Sequence, residues 1–359
     1  MSLKHQRMAP HDTLQVVVVD DGSSDDTQVT TDELGHELDL IYHFEPRGSR
    51  SGRSRARNIG VELASGDLIV MIDPDHVFPP GLIAEHVRYH EYSGALMVVG
   101  PRGKLAAGAV DIDELTRQLS WTALPQIDGG LAEDSRWGIL SRLSHNLNTV
   151  ATCWSMAYTC NASVRRRHLL AAGGFDESFT GWGLEDTELA YRLRQRDVAF
   201  AFNPDAAVYT WDGGLIDAAQ YQQWRANLSY FCEKHPGLDV AAQWMFDDAF
   251  NPAATSGDWV RTCLQFEHVA RAVVGRLPYN AGYRLAEVTD RNAYAFVSAL
   301  PEVAADGNLI VVDVAGRPEL SALVQSHRAG HELLYFCRTD RRHLAGLLER
   351  YPITSRWIR

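Results

Sequence analysis

Two apolar runs that end in acidic turns constrain the fold of this chain more than any other feature of its sequence. Leu14–Val19 is a valine-rich run that stops at Asp20 and Asp21, and Leu68–Ile72 stops at Asp73-Pro74-Asp75. Such runs are typical of central strands that are buried on both faces of a parallel sheet. We therefore expect both acidic turns at the carboxyl edge of one sheet, where α/β proteins bind their ligands.

Strand and helix patterns alternate along the first hundred residues. Further strands are predicted at Leu40–Phe44 and Ala95–Val99, and helices over Ala56–Ala64 and from Pro79 to about His90. This order predicts an α/β protein with a doubly wound, mostly parallel sheet flanked by helices. The later predictions are helices at Leu184–Arg196 and Ala218–Lys234, and strands at Val198–Phe202 and Val208–Trp211.

A stop signal at His235-Pro236-Gly237 marks the predicted domain boundary. Residues 1–237 form the first predicted domain, and residues 238–359 form a C-terminal extension. Within the extension, residues 238–305 are predicted to be helical. Leu309–Val314 and Glu332–Cys337 are predicted strands on either side of a helix.

The composition excludes several classes of protein. The formal net charge is −12, which argues against non-specific binding of nucleic acid. The 5 cysteines are scattered, which predicts reduced thiols and neither a disulfide framework nor a zinc site. The first residues carry no apolar signal-peptide core, and no apolar run approaches the ~20 residues of a spanning helix. We expect a cytoplasmic protein, and peripheral contact with the inner face of a membrane stays open.

The Asp73-Pro74-Asp75 turn has the D-x-D spacing of a site for a hard divalent cation. Mg²⁺ and Mn²⁺ take carboxylate oxygens as ligands and are often completed by substrate phosphates. Aspartate and proline are also ordinary turn residues after a strand, so the motif alone leaves both interpretations open.

Three stretches in order resemble the GT-A glycosyltransferases of family 2, which use nucleotide-sugars. They are VVVDDGSSDDT, ARNIGVELASGDLIVMIDPD and GGFDESFTGWGLEDTELAYRL, and the resemblance covers about Leu14 to Pro236. The third stretch is most similar to enzymes of the chondroitin-polymerase and β-1,4-galactosyltransferase type. The resemblance implies a fold, a metal cofactor (Mn²⁺ or Mg²⁺) and a nucleoside-diphosphate sugar as donor. UDP is the implied nucleotide, with GDP or dTDP as alternatives.

The resemblance also implies roles for residues on the donor side. Asp21, beside Asp20, would contact the uracil edge, while Asp75 would bind the metal with Asp73 toward the sugar or ribose. Among the arginines of the 47–57 loop, Arg53 and Arg57 are the expected contacts of the nucleotide. Asn161 matches a position near the donor.

On the acceptor side, Asp186 would be the general base of an inverting transfer to a hydroxyl group. Glu185 would be a second acidic contact, and Trp182 would offer an apolar face to a sugar ring. Acidic residues also favour the first turn of a helix, and tryptophan is also a core residue, so these structural alternatives stay open. The acceptor is expected to be a carbohydrate, a lipid-linked sugar or a small molecule, and the oligomeric state stays unknown.

Two departures from the family pattern affect this prediction. Residues 1–13 are too short for the first strand and helix of the family, so we expect either a truncated start or another segment in that place. Residues 307–336 either replace that unit or form a separate α/β extension. In addition, Thr210 or Asp212 stands where relatives have a histidine ligand, so Asp212 is a candidate for the third metal ligand.

Three other functions remain as alternatives. A retaining glycosyltransferase shares the W-G-x-E-D pattern, and a degenerate GT-A protein would bind sugars or a partner without catalysis. An aspartyl-phosphate phosphohydrolase also begins with a strand and a D-x-D turn. That class needs a lysine downstream of the nucleophile, and Lys104 and Lys234 do not stand in a suggestive context.

Overall fold

The structure is a computed structural model that describes residues 2–104, 134–140, 147, 150–210, 216–254, 259–274, 283–305, 308–327, 333–337 and 353–357. Its strands are β1 (Gln15–Asp20), β2 (Asp39–Phe44), β3 (Leu68–Ile72), β4 (His76–Val77), β5 (Leu96–Val99), β6 (Arg102–Lys104), β7 (Asn161–Arg165), β8 (Ala199–Phe202), β9 (Val208–Thr210), β10 (Tyr283–Val288), β11 (Leu309–Asp313), β12 (Leu333–Cys337) and β13 (Ile353–Trp357).

The α-helices of the same part of the chain are α1 (Thr27–Gly35), α2 (Arg53–Leu63), α3 (Leu82–Tyr92), α4 (Trp137–Leu140), α5 (Arg166–Ala172), α6 (Glu185–Gln195), α7 (Ala218–Lys234), α8 (Leu238–Ala241), α9 (Asp247–Phe250), α10 (Trp259–Val274), α11 (Ala293–Ala305) and α12 (Pro318–Ser326). Short 3-10 turns lie at Ser2–His5, Cys153–Met156 and Ala242–Phe246.

The central sheet has the strand order β3-β7-β5-β8. β5 pairs in parallel with β8, whereas β7 runs antiparallel to both β3 and β5. The four residues of β5 and those of β8 are buried, as expected for strands covered on both faces. The predicted α/β architecture is confirmed, with one reversed strand that the sequence patterns did not predict.

Two smaller groups of strands flank this sheet. β1 and β2 form a parallel pair in register from Gln15–Asp39 to Asp20–Phe44, and helix α2 packs against β1. β4, β9 and β6 form a three-stranded sheet next to the end of β3. β1 and β3 therefore both end near the turns that carry the acidic motifs.

The hydrophobic core continues beyond the predicted boundary at residue 237. Val240, Phe246 and Phe266 are buried in the same cluster as Trp154 and the strands of the central sheet. Trp154 meets Phe266 edge to face, with ring centroids 5.8 Å apart. The helices between residues 238 and 274 thus pack as part of the catalytic core, and residue 237 is a break in the helix pattern but not in the packing.

A separate parallel sheet begins at β10, with the order β12-β11-β10-β13. The prediction of helix throughout residues 238–305 is wrong at β10, whose Tyr283–Val288 segment contains the helix-favouring residues Leu, Ala and Glu. β11 pairs with β10 and β12 and not with β1. Residues 307–336 therefore do not stand beside β1 in place of the first strand and helix of the family, and the alternative of a separate α/β extension agrees with the structure.

Helix α12 joins this second sheet to the catalytic core. Ala322 is buried with Tyr89 of α3 and with Ala199 and Ala201 of β8, and the Tyr89 hydroxyl donates to Ser321 at 3.3 Å. α12 therefore packs on both units. Among the helices described, none is both long and apolar enough to cross a bilayer.

Candidate active site

The D-x-D turn begins where strand β3 ends. The backbone N–H of Asp73 donates to the carbonyl of Cys160 at 3.3 Å, which fixes the turn against the start of β7. The Thr210 hydroxyl at the end of β9 donates to Asp75 Oδ2 at 3.0 Å. The side chain of Asp75 is 55% exposed and that of Asp73 is 39% exposed, so both carboxylates are accessible to a ligand.

His76 is a third potential metal ligand, which the sequence analysis missed. Asp73, Asp75 and His76 each offer one ligand atom, and these atoms lie within 4.8 Å of one another. Both ring nitrogens of His76 are buried without a hydrogen-bond partner. Burial lowers the pKa of His76 against the opposing effect of Asp75 and Asp73, which favours the neutral imidazole that binds metals.

This set of donors is suitable for Mn²⁺ or Mg²⁺. Two carboxylates supply the hard oxygen ligands that both cations prefer, and an added imidazole favours Mn²⁺. The observation that fits a metal ligand is that both nitrogens of His76 are buried without a hydrogen bond, with Asp75 Oδ1 3.7 Å from Nδ1, because buried polar atoms rarely lack a hydrogen-bond partner. The predicted third ligand, Asp212, lies outside the described residues.

The acidic turn after β1 divides its two carboxylates between different environments. Burial opposes ionisation of Asp20, but hydrogen bonds from the Ser23 N–H at 2.7 Å and the Tyr42 hydroxyl at 2.8 Å outweigh it and lower the pKa of Asp20. Asp21 Oδ1, in contrast, is buried and has no hydrogen-bond partner. Asp20 therefore stabilises the turn, and Asp21 is the member of the pair with an acceptor atom free for a ligand.

Arg57 joins the D-x-D turn to the acidic pair on helix α6. Its Nη1 lies 2.8 Å from Glu185 Oε1, and its Nη2 lies 3.4 Å from Asp73 Oδ1. Burial alone would lower the pKa of Arg57, but the carboxylates of Glu185, Asp73 and Asp186 outweigh it and raise that pKa. The two acidic motifs, 112 residues apart in sequence between Asp73 and Glu185, thus meet around one guanidinium group.

Asp186 has the electrostatic environment of a general base. Its Oδ1 accepts from the Thr187 N–H at 2.7 Å, and its Oδ2 accepts weakly from the Thr159 N–H at 3.4 Å. Burial and the neighbouring Glu185 raise the pKa of Asp186 to about 6, and Arg57 acts in the opposite direction. A carboxylate with this pKa is ionised at neutral pH and is basic enough to accept a proton from an attacking hydroxyl group.

The loop before helix α6 has an unusual backbone. Gly181, Gly183 and Leu184 all have positive φ angles, of 72°, 95° and 74°. A left-handed leucine costs roughly 1–2 kcal/mol, and such strain is often found at functional sites. Trp182 in this loop is half-buried and contacts Phe250 edge to face, with centroids 6.1 Å apart.

Three predicted donor contacts are engaged within the protein. Arg53 Nη1 donates to the Gly181 carbonyl at 3.1 Å, and Arg57 forms the bridge described above. Asn161 is fully buried, and its amide nitrogen donates to the carbonyls of Ala206 at 2.7 Å and Pro101 at 3.1 Å. The buried amide of Asn161 has a structural role, which argues against the predicted contact with the donor.

Two protein-family models match the sequence of this chain. Residues 1–133 match the model described as glycosyl transferase family 2, and residues 144–210 match the one described as the N-terminal domain of galactosyltransferase. The acidic turns of β1 and β3 lie in the first match, and Glu185 and Asp186 lie in the second. The predicted resemblance to family 2 glycosyltransferases is confirmed over these two segments of the chain.

Individual relatives agree with this class. The chain is 28% identical over 256 residues to a validoxylamine A glucosyltransferase of Streptomyces hygroscopicus subsp. limoneus, covering 68% of this chain and 54% of that protein. It is 27% identical over 194 residues to a hyaluronan synthase of Pasteurella multocida, covering 51% of this chain and 20% of the relative. The chain thus spans about half the length of the first of these relatives and a fifth of the second.

A solved structure superimposes on the chain with a low TM-score. The crystal structure of S. aureus TarS residues 1–349 gives a TM-score of 0.44 with 13% identity, and the superposition covers 84% of this chain and 74% of that one.

Proposed function

We propose that this chain transfers a glycosyl group from a nucleoside-diphosphate sugar to a hydroxyl acceptor, with inversion at the anomeric carbon. The observation that carries this proposal is the Arg57 bridge, which holds Asp73 and Glu185 on one guanidinium group. This contact supports a single site in which the donor's diphosphate lies at the D-x-D turn and the acceptor lies at Asp186.

The residues have distinct roles in this reaction. The Asp186 carboxylate takes the proton of the acceptor hydroxyl as its oxygen forms the bond to C1 of the sugar. The bond from C1 to the diphosphate oxygen breaks on the opposite face, and its electron pair leaves with the nucleoside diphosphate. One base and no covalent intermediate are needed for this inversion. Asp21, with its unpaired buried oxygen, accepts a hydrogen bond from the base of the nucleotide, and uracil is the first candidate.

Asp73, Asp75 and His76 would hold a divalent cation, with Mn²⁺ as the first candidate. Such a cation neutralises charge that develops on a departing diphosphate. Thr210 orients Asp75 for this role through its hydroxyl group. The Arg57 guanidinium group reduces the repulsion between the Asp73 and Glu185 carboxylates, because it lies against both of them.

The relatives suggest two classes of acceptor substrate. The relative named validoxylamine A glucosyltransferase suggests a glucosyl donor and a small polyhydroxylated acceptor. The relative named hyaluronan synthase suggests a polysaccharide acceptor. UDP-glucose with validoxylamine A is therefore the first pair to test, and a hyaluronan oligosaccharide with UDP-N-acetylglucosamine or UDP-glucuronic acid is the second.

A panel of UDP-, GDP- and dTDP-sugars tests the proposal, with thermal shift in the presence and absence of Mn²⁺ followed by assay of nucleotide release. We expect a shift that needs both nucleotide and metal, and turnover that is lost in Asp186→Asn but kept in Asp197→Asn, an exposed residue beyond the same helix. NMR of the product should show the inverted anomer. Retention of configuration would favour a retaining enzyme, and ligand binding without turnover would favour a degenerate binding protein.

A further inference from the structure

The loop from Gly181 to Leu184 is held in place by helix α7. A Cβ atom on Gly181 would come within 2.6 Å of Gln223, and one on Gly183 within 3.3 Å of Trp224. The loop backbone therefore packs against the surface of this helix. Since Leu184 is the last residue before Glu185 and Asp186, the position of the loop determines where helix α6 begins.

Asn227 supplies the polar part of this contact. Its side-chain nitrogen donates to the carbonyl of Gly183 at 2.8 Å and to that of Thr180 at 3.1 Å, and the Trp182 carbonyl lies 3.4 Å away. Asn227 is only 4% exposed, so water does not replace these bonds readily. A single amide thus satisfies several carbonyl groups of a strained loop.

A second side-chain amide of the same helix accepts a hydrogen bond from the loop. Gln223 Oε1 accepts the Trp182 N–H at 2.9 Å. Arg53 of α2 also donates to the loop, at the Gly181 carbonyl. The backbone around Trp182 is therefore fixed by hydrogen-bond donors and acceptors from two helices.

We propose that Asn227 and Gln223 are positioning residues for the acceptor side of the site, a role that rests on the proposed function. Neither residue touches the reacting atoms. They hold the left-handed backbone of Gly181–Leu184, and this backbone sets the positions of Trp182 and Asp186 relative to the sugar carbon. Displacement of reacting groups by about 1 Å is enough to lower a rate by roughly 100-fold.

Isosteric substitutions test the proposal without a change of volume. Asn227→Asp replaces the donor with a carboxylate that faces the carbonyls of Thr180 and Gly183. We expect its kcat/KM for the acceptor to fall by roughly 10- to 100-fold, with the loss in kcat and with the KM of the donor changed by less than about twofold. Gln222→Ala, an exposed residue on the same helix, is the control and should behave as wild type. Wild-type kcat in a folded Asn227→Asp variant would overturn the role of Asn227.

Gln223 provides a second test that does not depend on folding of an altered core, because this side chain is exposed. Gln223→Leu removes the acceptor for the Trp182 N–H, while Gln223→Glu keeps it. We expect the leucine variant to lose kcat by roughly 10-fold and the glutamate variant to retain most of it. Equal activity of the two variants would contradict a positioning role.

Amide hydrogen exchange separates this inference from the proposed function. If wild type transfers no sugar, the proposed function fails, but exchange in residues 180–186 still reports on the loop. We expect this segment to exchange at least about tenfold faster in Asn227→Asp and Gln223→Leu than in wild type. Unchanged exchange in both variants would overturn the inference whatever the activity of the chain.

Discussion

Arg57 and Glu185 form an ion pair with 2.8 Å between Nη1 and Oε1, and this pair joins the proposed donor side of the site to its proposed acceptor side. The side chain of Glu185 is 8% exposed and that of Arg57 is 18% exposed, so water screens the pair little. Removal of one partner from such a pair leaves a buried charge uncompensated, which costs more than the pair contributes.

Substitution of Arg57 should therefore affect both activity and pH dependence. Arg57→Lys cannot reach Glu185 and Asp73 with a planar fork, and we expect kcat/KM to fall by roughly 10- to 100-fold. Because Arg57 lowers the pKa of Asp186, Arg57→Met should also move the acidic limb of the pH–rate profile to higher pH. Arg50→Met, which breaks an exposed pair with Glu177, is the control. An unmoved limb in Arg57→Met would refute the electrostatic link.

The pH dependence of the wild type should report on Asp186. The base must be ionised to accept a proton, and its pKa of about 6 predicts that kcat/KM rises from pH 5 to pH 7 and levels off above it. The measurement is a pH–rate profile at saturating Mn²⁺. A profile that is flat between pH 5 and pH 7 would be incompatible with Asp186 as the base.

Asp186→Asn should stabilise the chain while it abolishes catalysis. The pKa of Asp186 is raised from 3.8 to about 6 in the folded state, so ionisation above pH 6 costs folding free energy. Asparagine avoids this cost, and its Oδ1 can still accept from the Thr187 N–H. We expect a gain of about 3 kcal/mol at pH 8 that disappears below pH 4, measured by urea unfolding at both pH values without ligand. Equal stability at pH 8 would show that the carboxylate is less perturbed than the structure implies.

Glu267 tests the assignment of helix α10 to the catalytic core. Its carboxylate accepts from the N–H groups of Ala151 at 2.8 Å and Thr152 at 2.9 Å, and it pairs with Arg271 at 2.6 Å. Glu267→Ala would remove the acceptor of these two buried N–H groups and one charge of the buried ion pair with Arg271, and we expect a loss of about 3–5 kcal/mol in unfolding free energy. The exposed Glu233→Ala is the control, with a change within about 0.5 kcal/mol. A small effect at Glu267 would place the domain boundary nearer residue 237.

Gly100 lies where no side chain has room. A Cβ atom there would come within 2.0 Å of the Ala206 carbonyl oxygen and 2.4 Å of Asn161 Nδ2. Gly100→Ala should disrupt the bonds of Asn161 and lower the unfolding free energy by about 2–4 kcal/mol. Gly81→Ala, where a Cβ meets nothing within 4 Å, should be nearly neutral in the same thermal or urea measurement. Tolerance of alanine at residue 100 would mean that the Asn161 network is easily rearranged.

Much of the sheet could be predicted because its strands have strong local patterns. The run Leu68–Ile72 coincides with β3, and helix α7 has the predicted bounds, Ala218–Lys234. The direction of β7 could not be predicted, since apolar periodicity is the same in parallel and antiparallel strands. β10 was missed because tertiary pairing with β11 and β13 overrides the helix preference of its residues.

At the site, too, the local motifs could be predicted from the sequence and the long-range contacts could not. The acidic motifs were visible in the sequence because they are contiguous, and His76 could have been found as the residue next to Asp75. The hydrogen-bond partners of Arg57 and Asn161 could not be predicted, because they are distant in sequence. The partners of Arg57 lie 16 and 128 residues away, and those of Asn161 lie between 45 and 75 residues away. Such contacts depend on the tertiary structure. Because of them, Arg57 bridges two carboxylates and Asn161 is a buried structural amide, whereas both were predicted to contact the donor.

The reversed direction of β7 has a chemical consequence at the catalytic edge. The parallel strands of the sheet end at this edge, whereas the antiparallel strand β7 begins there. The residues just before Asn161 therefore lie beside the site. These residues contribute main-chain groups: the Thr159 amide hydrogen faces the proposed base, and the Cys160 carbonyl anchors Asp73. Since main-chain groups stay the same when side chains are substituted, the contacts to Asp73 and Asp186 should survive substitution of the Thr159 and Cys160 side chains wherever the backbone keeps its path.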